Sequence, residues 1–249
     1  MRIVLKIGGN VLLDPAQLRS ITSEVGALQK AGHQLLLVHG GGPQLDAAIA
    51  ELGEAVQKID GLRVTSVPAA AVVQRVLDGI GADLAAKLVA AGLPAAHVPS
   101  TARCLAARVK SEPLGRVGSV IKFAPPKKQL PVGIPVVTPV GFDAAGPLNV
   151  NADEGAAAVA VWAGADLLVL ATDVSAVRGA NGQDLKRLTP PQARALMGSA
   201  AKGGMIPKLG NAIEAIQSGV RRVLITKLEP GLVVAAAAGK PTPGTLVEA

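Results

Sequence analysis

Apolar positions along the chain follow two spacings that alternate. Short apolar runs at Arg2 to Lys6 and Gln34 to Val38 read as strands. Between them, Pro15 to Lys30 places Leu18, Ile21, Val25 and Leu28 on one helical face. Gly42 to Leu52 reads as the next helix, and Val67 to Ala91 holds enough periodic apolar residues for one or two helices, broken near Gly79 to Gly81. Ala95 to Val98 is a further strand. From Leu105 to Ile121 the pattern changes to shorter β-like pieces with glycines, which predicts hairpins at an edge of the sheet or a lid. The alternation then resumes. Strands are expected at Ile134 to Val137, Asp166 to Ala171, Arg222 to Ile225 and Thr245 to Val247. Helices are expected at Asp153 to Ala163, near Pro190 to Leu196, at Ile206 to Ser218 and at Gly231 to Ala237. This order predicts an α/β fold with a mainly parallel sheet covered by helices. No low-complexity linker or internal repeat divides the chain, so residues 1–249 are expected to form one domain in which any two-lobe division is functional.

Composition narrows the class. With 249 residues, 49% of them hydrophobic, the chain can bury a sizeable core. It has no run of about 18 uncharged apolar residues, and Met1 leads directly into MRIVLKIGG without the regions of a signal peptide. A cytoplasmic protein is expected. Cys104 is the only cysteine, which excludes an internal disulfide and a cysteine-based zinc site; His33, His39 and His97 lack metal-ligand spacing, so no metal site is expected. A net charge of +7 favours anionic ligands such as nucleotides or carboxylates, or an acidic partner. Nucleic acid is disfavoured, because one tryptophan, two phenylalanines and no tyrosine leave few stacking platforms. The short basic pairs Lys127-Lys128 and Arg221-Arg222 read as solvated charge.

Two glycine-rich turns carry the first candidate chemistry. In LLLVHGGGPQLD, Gly40-Gly41-Gly42 separates a strand from a helix; in KIGGN, Lys6 ends a strand and Gly8-Gly9 follow. Such turns bring backbone amides to an anion without obstruction by Cβ, and a helix N-terminus adds partial positive charge. Either turn alone is equally a means of packing helix on strand. Neither matches the dinucleotide or Walker pattern. In the second half, PLNVNADEG places Asn149 at the exit of a strand, with Asp153 able to cap the next helix. LVLATDV ends a strand with Thr172 and Asp173, and KGGMIPK brings Lys208 near a helix start after Gly203-Gly204. A lysine there can neutralise a phosphoryl group passing between donor and acceptor.

The ordered set KIGGN (6–10), HGGGPQLD (39–46), GLRVT (61–65), NVNADE (149–154), TDV (172–174) and GGMIPK (203–208) resembles the amino acid kinase family, and within it the acetylglutamate kinases. The resemblance implies a three-layer αβα sandwich around a mainly parallel central sheet of about eight strands. It implies an N-terminal lobe, about 1–145, that binds the acyl acceptor, and a C-terminal lobe, about 146–249, that binds ATP. The implied reaction is ATP-dependent phosphorylation of the γ-carboxylate of N-acetyl-L-glutamate in arginine biosynthesis. Lys6 and Lys208 match lysines that stabilise the phosphoryl group in transit, Gly9 and Gly41 glycines whose amides bind it, and Asp153 the aspartate that orients both lysines. Gly8 joins the nucleotide contacts and Gly42 the substrate contacts. Arg63 matches the arginine that pairs with the acceptor's α-carboxylate, and Asn149 the asparagine that reads its acetamido end. Nucleotide contacts begin at Thr172 and Asp173, and Mg²⁺ is carried in by ATP. A carboxylate is already a nucleophile near neutral pH, so no histidine base is needed, and His39 reads as a residue that shapes the turn.

Some segments depart from the family. VPSTARCLAARV (98–109) stands where many members read GLSGKDG, and Ala176 replaces a usual glycine after TDV. Arginine-regulated members carry a helix ahead of the first strand, whereas this chain starts at that strand, so no feedback through that helix and a homodimer are expected. One alternative is a kinase for an aminoadipyl or glutamyl group on an acidic carrier protein, which the net charge and altered lid would suit. LRVT and NVNAD stand against it, since such kinases tend to have RYT and NxDGD. A non-catalytic amino-acid sensor on the same fold is a second; joint retention of Lys6, Asp153 and Lys208 argues against it.

Overall fold

The computed structural model describes residues 1–126 and 130–249; the Lys127-Lys128 pair lies outside the described residues. In chain order the elements are β1 (Arg2–Ile7), α1 (Gly9–Leu13), α2 (Pro15–Lys30), β2 (Gln34–His39), α3 (Gly42–Glu51), β3 (Lys58–Ile59), β4 (Leu62–Arg63), α4 (Val67–Ala90) and β5 (Ala95–Val98). There follow β6 (Leu105–Val109), β7 (Val117–Phe123), β8 (Ile134–Val137), β9 (Val140–Asp143), β10 (Gly146–Val150), α5 (Ala152–Ala163) and β11 (Leu167–Ala171). The chain closes with β12 (Val177–Arg178), β13 (Asp184–Leu185), β14 (Arg187–Leu188), α6 (Pro190–Met197), α7 (Met205–Gln217), β15 (Arg222–Thr226), α8 (Leu232–Ala237) and β16 (Thr245–Glu248).

Eight strands form the central sheet in the order β14-β16-β15-β11-β1-β2-β8-β5. All neighbours are parallel except β15 and β16. The strands read as continuous apolar runs because both faces are covered. Ile3, Leu5 and Ile7 of β1 point to the face packed by α2, α4 and α8, while Val4 points to the face packed by α5, α6 and α7. This is the expected three-layer sandwich of about eight strands. On the second face, Ala156, Ala157, Ala160 and Ala163 let α5 lie close to the sheet. No helix among the described residues is long and apolar enough to cross a membrane.

Two expectations are corrected. The glycine-bearing pieces from Leu105 onward do pair as an antiparallel hairpin, β6 with β7, but not at an edge of the central sheet. They join β9 and β10 in a closed four-stranded barrel, β10-β7-β6-β9. So few strands enclose little space: a Cβ on Gly118 would stand 2.9 Å from Cβ of Leu148, and one on Gly141 2.6 Å from Cβ of Ala107. The glycines that make these strands look loop-like are what lets the barrel close around Ala107, Leu148 and Val150. Second, α4 is unbroken from Val67 to Ala90. Gly81 does not interrupt it; a Cβ there would lie 2.6 Å from Nε2 of His97 and 2.9 Å from Nε2 of His39, so glycine admits two histidine rings against the helix.

Candidate active site

From β1 the chain builds outward through β2 toward β8 and β5, and later through β11 and β15 on the other side. The order therefore reverses between β1 and β11, and parallel strands place their carboxyl ends together there. Open α/β sheets hold ligands in that crevice. A cavity of about 600 Å³ lies there. It is lined by every position singled out from the sequence: Lys6, Gly8, Gly9, Gly41, Gly42, Arg63, Asn149, Asp153, Thr172, Asp173 and Lys208.

The two glycine turns touch. A Cβ on Gly9 would come within 2.8 Å of Cα of Gly41 and 2.9 Å of the Gly42 nitrogen, so backbone meets backbone at that point. Gly40 donates its N–H to the Ile7 carbonyl at 2.8 Å, and Gln44, in the first turn of α3, donates through Nε2 to the Gly9 carbonyl at 3.2 Å. Gly8 and Gly42 have open space where a side chain would be. His39 is fully buried behind the second turn, its Nδ1 3.3 Å from the Gly40 carbonyl. Burial pushes its pKa down to about 4, so the ring is neutral near pH 7.

Asp153 sits between two lysines from opposite ends of the chain. Lys208 Nζ donates to its Oδ2 at 2.7 Å, and Lys6 Nζ stands 3.1 Å from its Oδ1. Burial opposes the charge on Asp153, but Lys6 and Lys208 outweigh it and hold the carboxyl below its ordinary range. Burial, aided by Lys6 and resisted by Asp153, lowers the pKa of Lys208. Asp153 is not the helix cap: Asn151 accepts the Asp153 N–H through Oδ1 at 2.8 Å. That cap leaves the aspartate side chain for the lysines. Glu154 fastens the same helix start to the barrel, accepting from Ser119 Oγ at 3.1 Å and from the Val120 N–H at 2.6 Å.

Also in the cavity lining, Arg63 Nε donates to Asp46 Oδ1 at 2.9 Å and its Nη2 to the Gly42 carbonyl at 3.0 Å. Asn149 donates through Nδ2 to Thr65 Oγ1 at 3.0 Å. Arg116 binds both of these segments through its backbone, donating to the Thr65 carbonyl at 2.7 Å and accepting from the Asn149 N–H at 2.9 Å. Its guanidinium clamps Asp143 with bonds of 2.9 and 2.8 Å. Beyond β11, Thr172 Oγ1 donates to Asp173 at 3.0 Å.

The profile of the amino acid kinase family matches residues 1–227. The chain belongs to the amino acid kinase family. An acetylglutamate kinase of Acidobacterium capsulatum is 38% identical over 241 residues, 92% of each chain. One from Koribacter versatilis is 39% identical over 234 residues, 90% of each chain. The crystal structure of a Streptococcus mutans UA159 protein superposes with a TM-score of 0.82 at 33% identity, covering 99% of this chain and 98% of the other. The fold implied by the resemblance to the amino acid kinases is thus the fold observed.

Sequence reasoning passed over Gln44, Asp46, Thr65 and Arg116. Gln44, Asp46 and Thr65 stand inside the quoted motifs, and the spacing of Asp46 one helical turn beyond Gly42 was a usable signal. Arg116 lies in a segment read only as hairpin, where no periodicity marks it.

Proposed function

We propose that this amino acid kinase phosphorylates the γ-carboxylate of N-acetyl-L-glutamate with ATP, a step of arginine biosynthesis, and that the Lys6–Asp153–Lys208 cluster is its transfer centre. The supporting observation is the position of that cluster, at the wall of a cavity reached by two abutting glycine turns and lined also by Arg63, Asn149, Thr172 and Asp173. In this reading the lobe of residues about 1–145 takes the acceptor and that of about 146–249 takes ATP, with Asn149 lent across the boundary.

Arg63 pairs with the acceptor's α-carboxylate and Asn149 reads the acetamido group, which directs the γ-carboxylate toward the two lysines. A carboxylate oxygen forms the new bond to the γ-phosphorus while the bond from that phosphorus to the bridging oxygen breaks, and the electron pair leaves on ADP. No proton moves. Lys6, Lys208 and the amides of Gly9 and Gly41 spread the charge of the transferring group, and Asp153 holds both lysines against their mutual repulsion. Among the described residues no group of three or more His, Cys, Asp or Glu is arranged to hold a metal, and Asp153 already faces two lysines. Mg²⁺ would accordingly be held by the phosphates and water and supply further neutralisation. We take the protein to act in the cytoplasm as a homodimer.

The test is acyl-phosphate formation with ATP and Mg²⁺, trapped as hydroxamate, with N-acetyl-L-glutamate, N-acetylaminoadipate, free glutamate or no acceptor. Turnover confined to N-acetyl-L-glutamate is expected; turnover with none of them by folded, ATP-binding protein would overturn the assignment.

A further inference from the structure

Arg63 reaches the cavity while held from behind. Its Nε donates to Asp46 Oδ1 at 2.9 Å, and its Nη2 contacts both that oxygen and, at 3.0 Å, the Gly42 carbonyl. Lys58 donates to the other Asp46 oxygen at 3.2 Å. Arg63 lines the cavity; Asp46 does not. A guanidinium has five N–H donors. Nε and Nη2 are engaged, and among the described residues only the Nη1 pair makes no hydrogen bond. The edge of the fork that a carboxylate usually takes in parallel bonds is therefore already occupied by the protein's own carboxylate.

We propose that Asp46 is a positioning residue that fixes the Arg63 fork so that the acceptor's α-carboxylate is taken by Nη1, with the protein's carboxylate staying in place beside it. This rests on the reading of Arg63 as the α-carboxylate ligand. The arrangement has two consequences. The guanidinium is locked before the acceptor arrives, so less side-chain freedom is lost on binding. The anchor also spans Gly42, so acceptor recognition and the second glycine turn share one support. Asp46 lies on α3, four residues after Gly42, while Arg63 lies on β4; the contact joins two separately built elements.

The experiment measures steady-state kinetics of the full chain with saturating ATP and varied acceptor, for wild type, Asp46→Ala, Asp46→Asn and Arg63→Ala. Asp46→Ala should raise the acceptor KM about tenfold or more, with the ATP KM and kcat changed by less than about threefold. Asp46→Asn keeps an oxygen able to accept from Nε and should return the acceptor KM to within about threefold of wild type. With 4-acetamidobutyrate, which retains the acetamido and reacting carboxylate but lacks the α-carboxylate, wild type and Asp46→Ala should be equally poor. An unchanged acceptor KM in Asp46→Ala, beside a raised one in Arg63→Ala, would overturn this inference alone. So would an equal rise for ATP, or an equal penalty with 4-acetamidobutyrate. Wild type inactive on N-acetyl-L-glutamate would remove the functional reading and this inference with it.

Discussion

Among the described residues the same motif occurs twice: one carboxylate between two basic side chains. Asp153 lies between Lys6 and Lys208, and Asp46 between Arg63 and Lys58. In the first, the three side chains are 10%, 13% and 8% exposed; in the second, Asp46 is 35% and Lys58 48% exposed, with Arg63 buried at 9%. The first joins residues from β1, α5 and α7, the second joins neighbours along one stretch of chain. Burial decides what each can do. Water reaches Asp46 and Lys58 of the outer set and screens their pair, while Arg63 is held on its buried side. The inner set has no such relief, and loss of its carboxylate leaves two ammonium groups facing each other in a poorly solvated place.

The sharpest break of this contrast is Asp153→Ala. Turnover should fall by about a thousandfold or more, and stability by roughly 3 kcal/mol or more, since two buried charges lose their partner. Loss of turnover without loss of stability would show that the inner set is more solvated than its burial implies. Next is Gly9→Ala. The added methyl meets the backbone of Gly41, so the two turns must part; turnover should drop about a hundredfold, with roughly 1–3 kcal/mol lost in a denaturant titration.

Arg63→Ala should raise the acceptor KM by about ten- to a hundredfold and leave the ATP KM unchanged, while stability falls by roughly 1–2 kcal/mol, less than for Asp153→Ala because Asp46 keeps Lys58 and water. A stability loss as large as that of Asp153→Ala would erase the distinction between the sets. The smallest effect is in pH. Because burial lowers the Lys208 pKa, the free enzyme should lose this positive charge at a pH below the ordinary lysine range. Turnover per ATP binding event, read as kcat/KM for ATP, should then decline earlier on the alkaline side than for an ordinary lysine. Acceptor KM, assigned to Arg63 and not to Lys208, should remain flat across the same window. Parallel decline of both would mean that one group governs both substrates.

Much of this architecture was legible from local pattern. The strands of the sheet are continuous apolar runs and the helices have clear stripes, so their order and the layers follow from periodicity. That Lys6, Gly9, Gly41 and Asp173 line one cavity was legible for a different reason: charged or glycine residues at strand exits conflict with packing preference, which marks them. The barrel was hidden because its strands are short and its glycines serve closure, whereas glycine in a sequence first signals a turn. The unbroken α4 was hidden similarly, since Gly81 answers to histidines from β2 and β5 that no local pattern brings near. The Asp153 role was half legible. Its place at a helix start fits a cap, and only the side-chain geometry shows Asn151 taking that task.

The position of β1 also bears on synthesis of the chain. Strand β1 is an inner strand, with β2 on one side and β11 on the other, Lys6 standing opposite Leu170. On the ribosome its second edge must wait for residues made more than half a chain later, a long-range closure of the kind that slows folding. The nascent chain therefore exposes an unpaired apolar edge for much of its elongation, where a chaperone has most to protect. The same delay keeps Lys6 apart from Asp153 and Lys208 until the final third of the chain emerges, so an incomplete product cannot assemble this buried charge cluster.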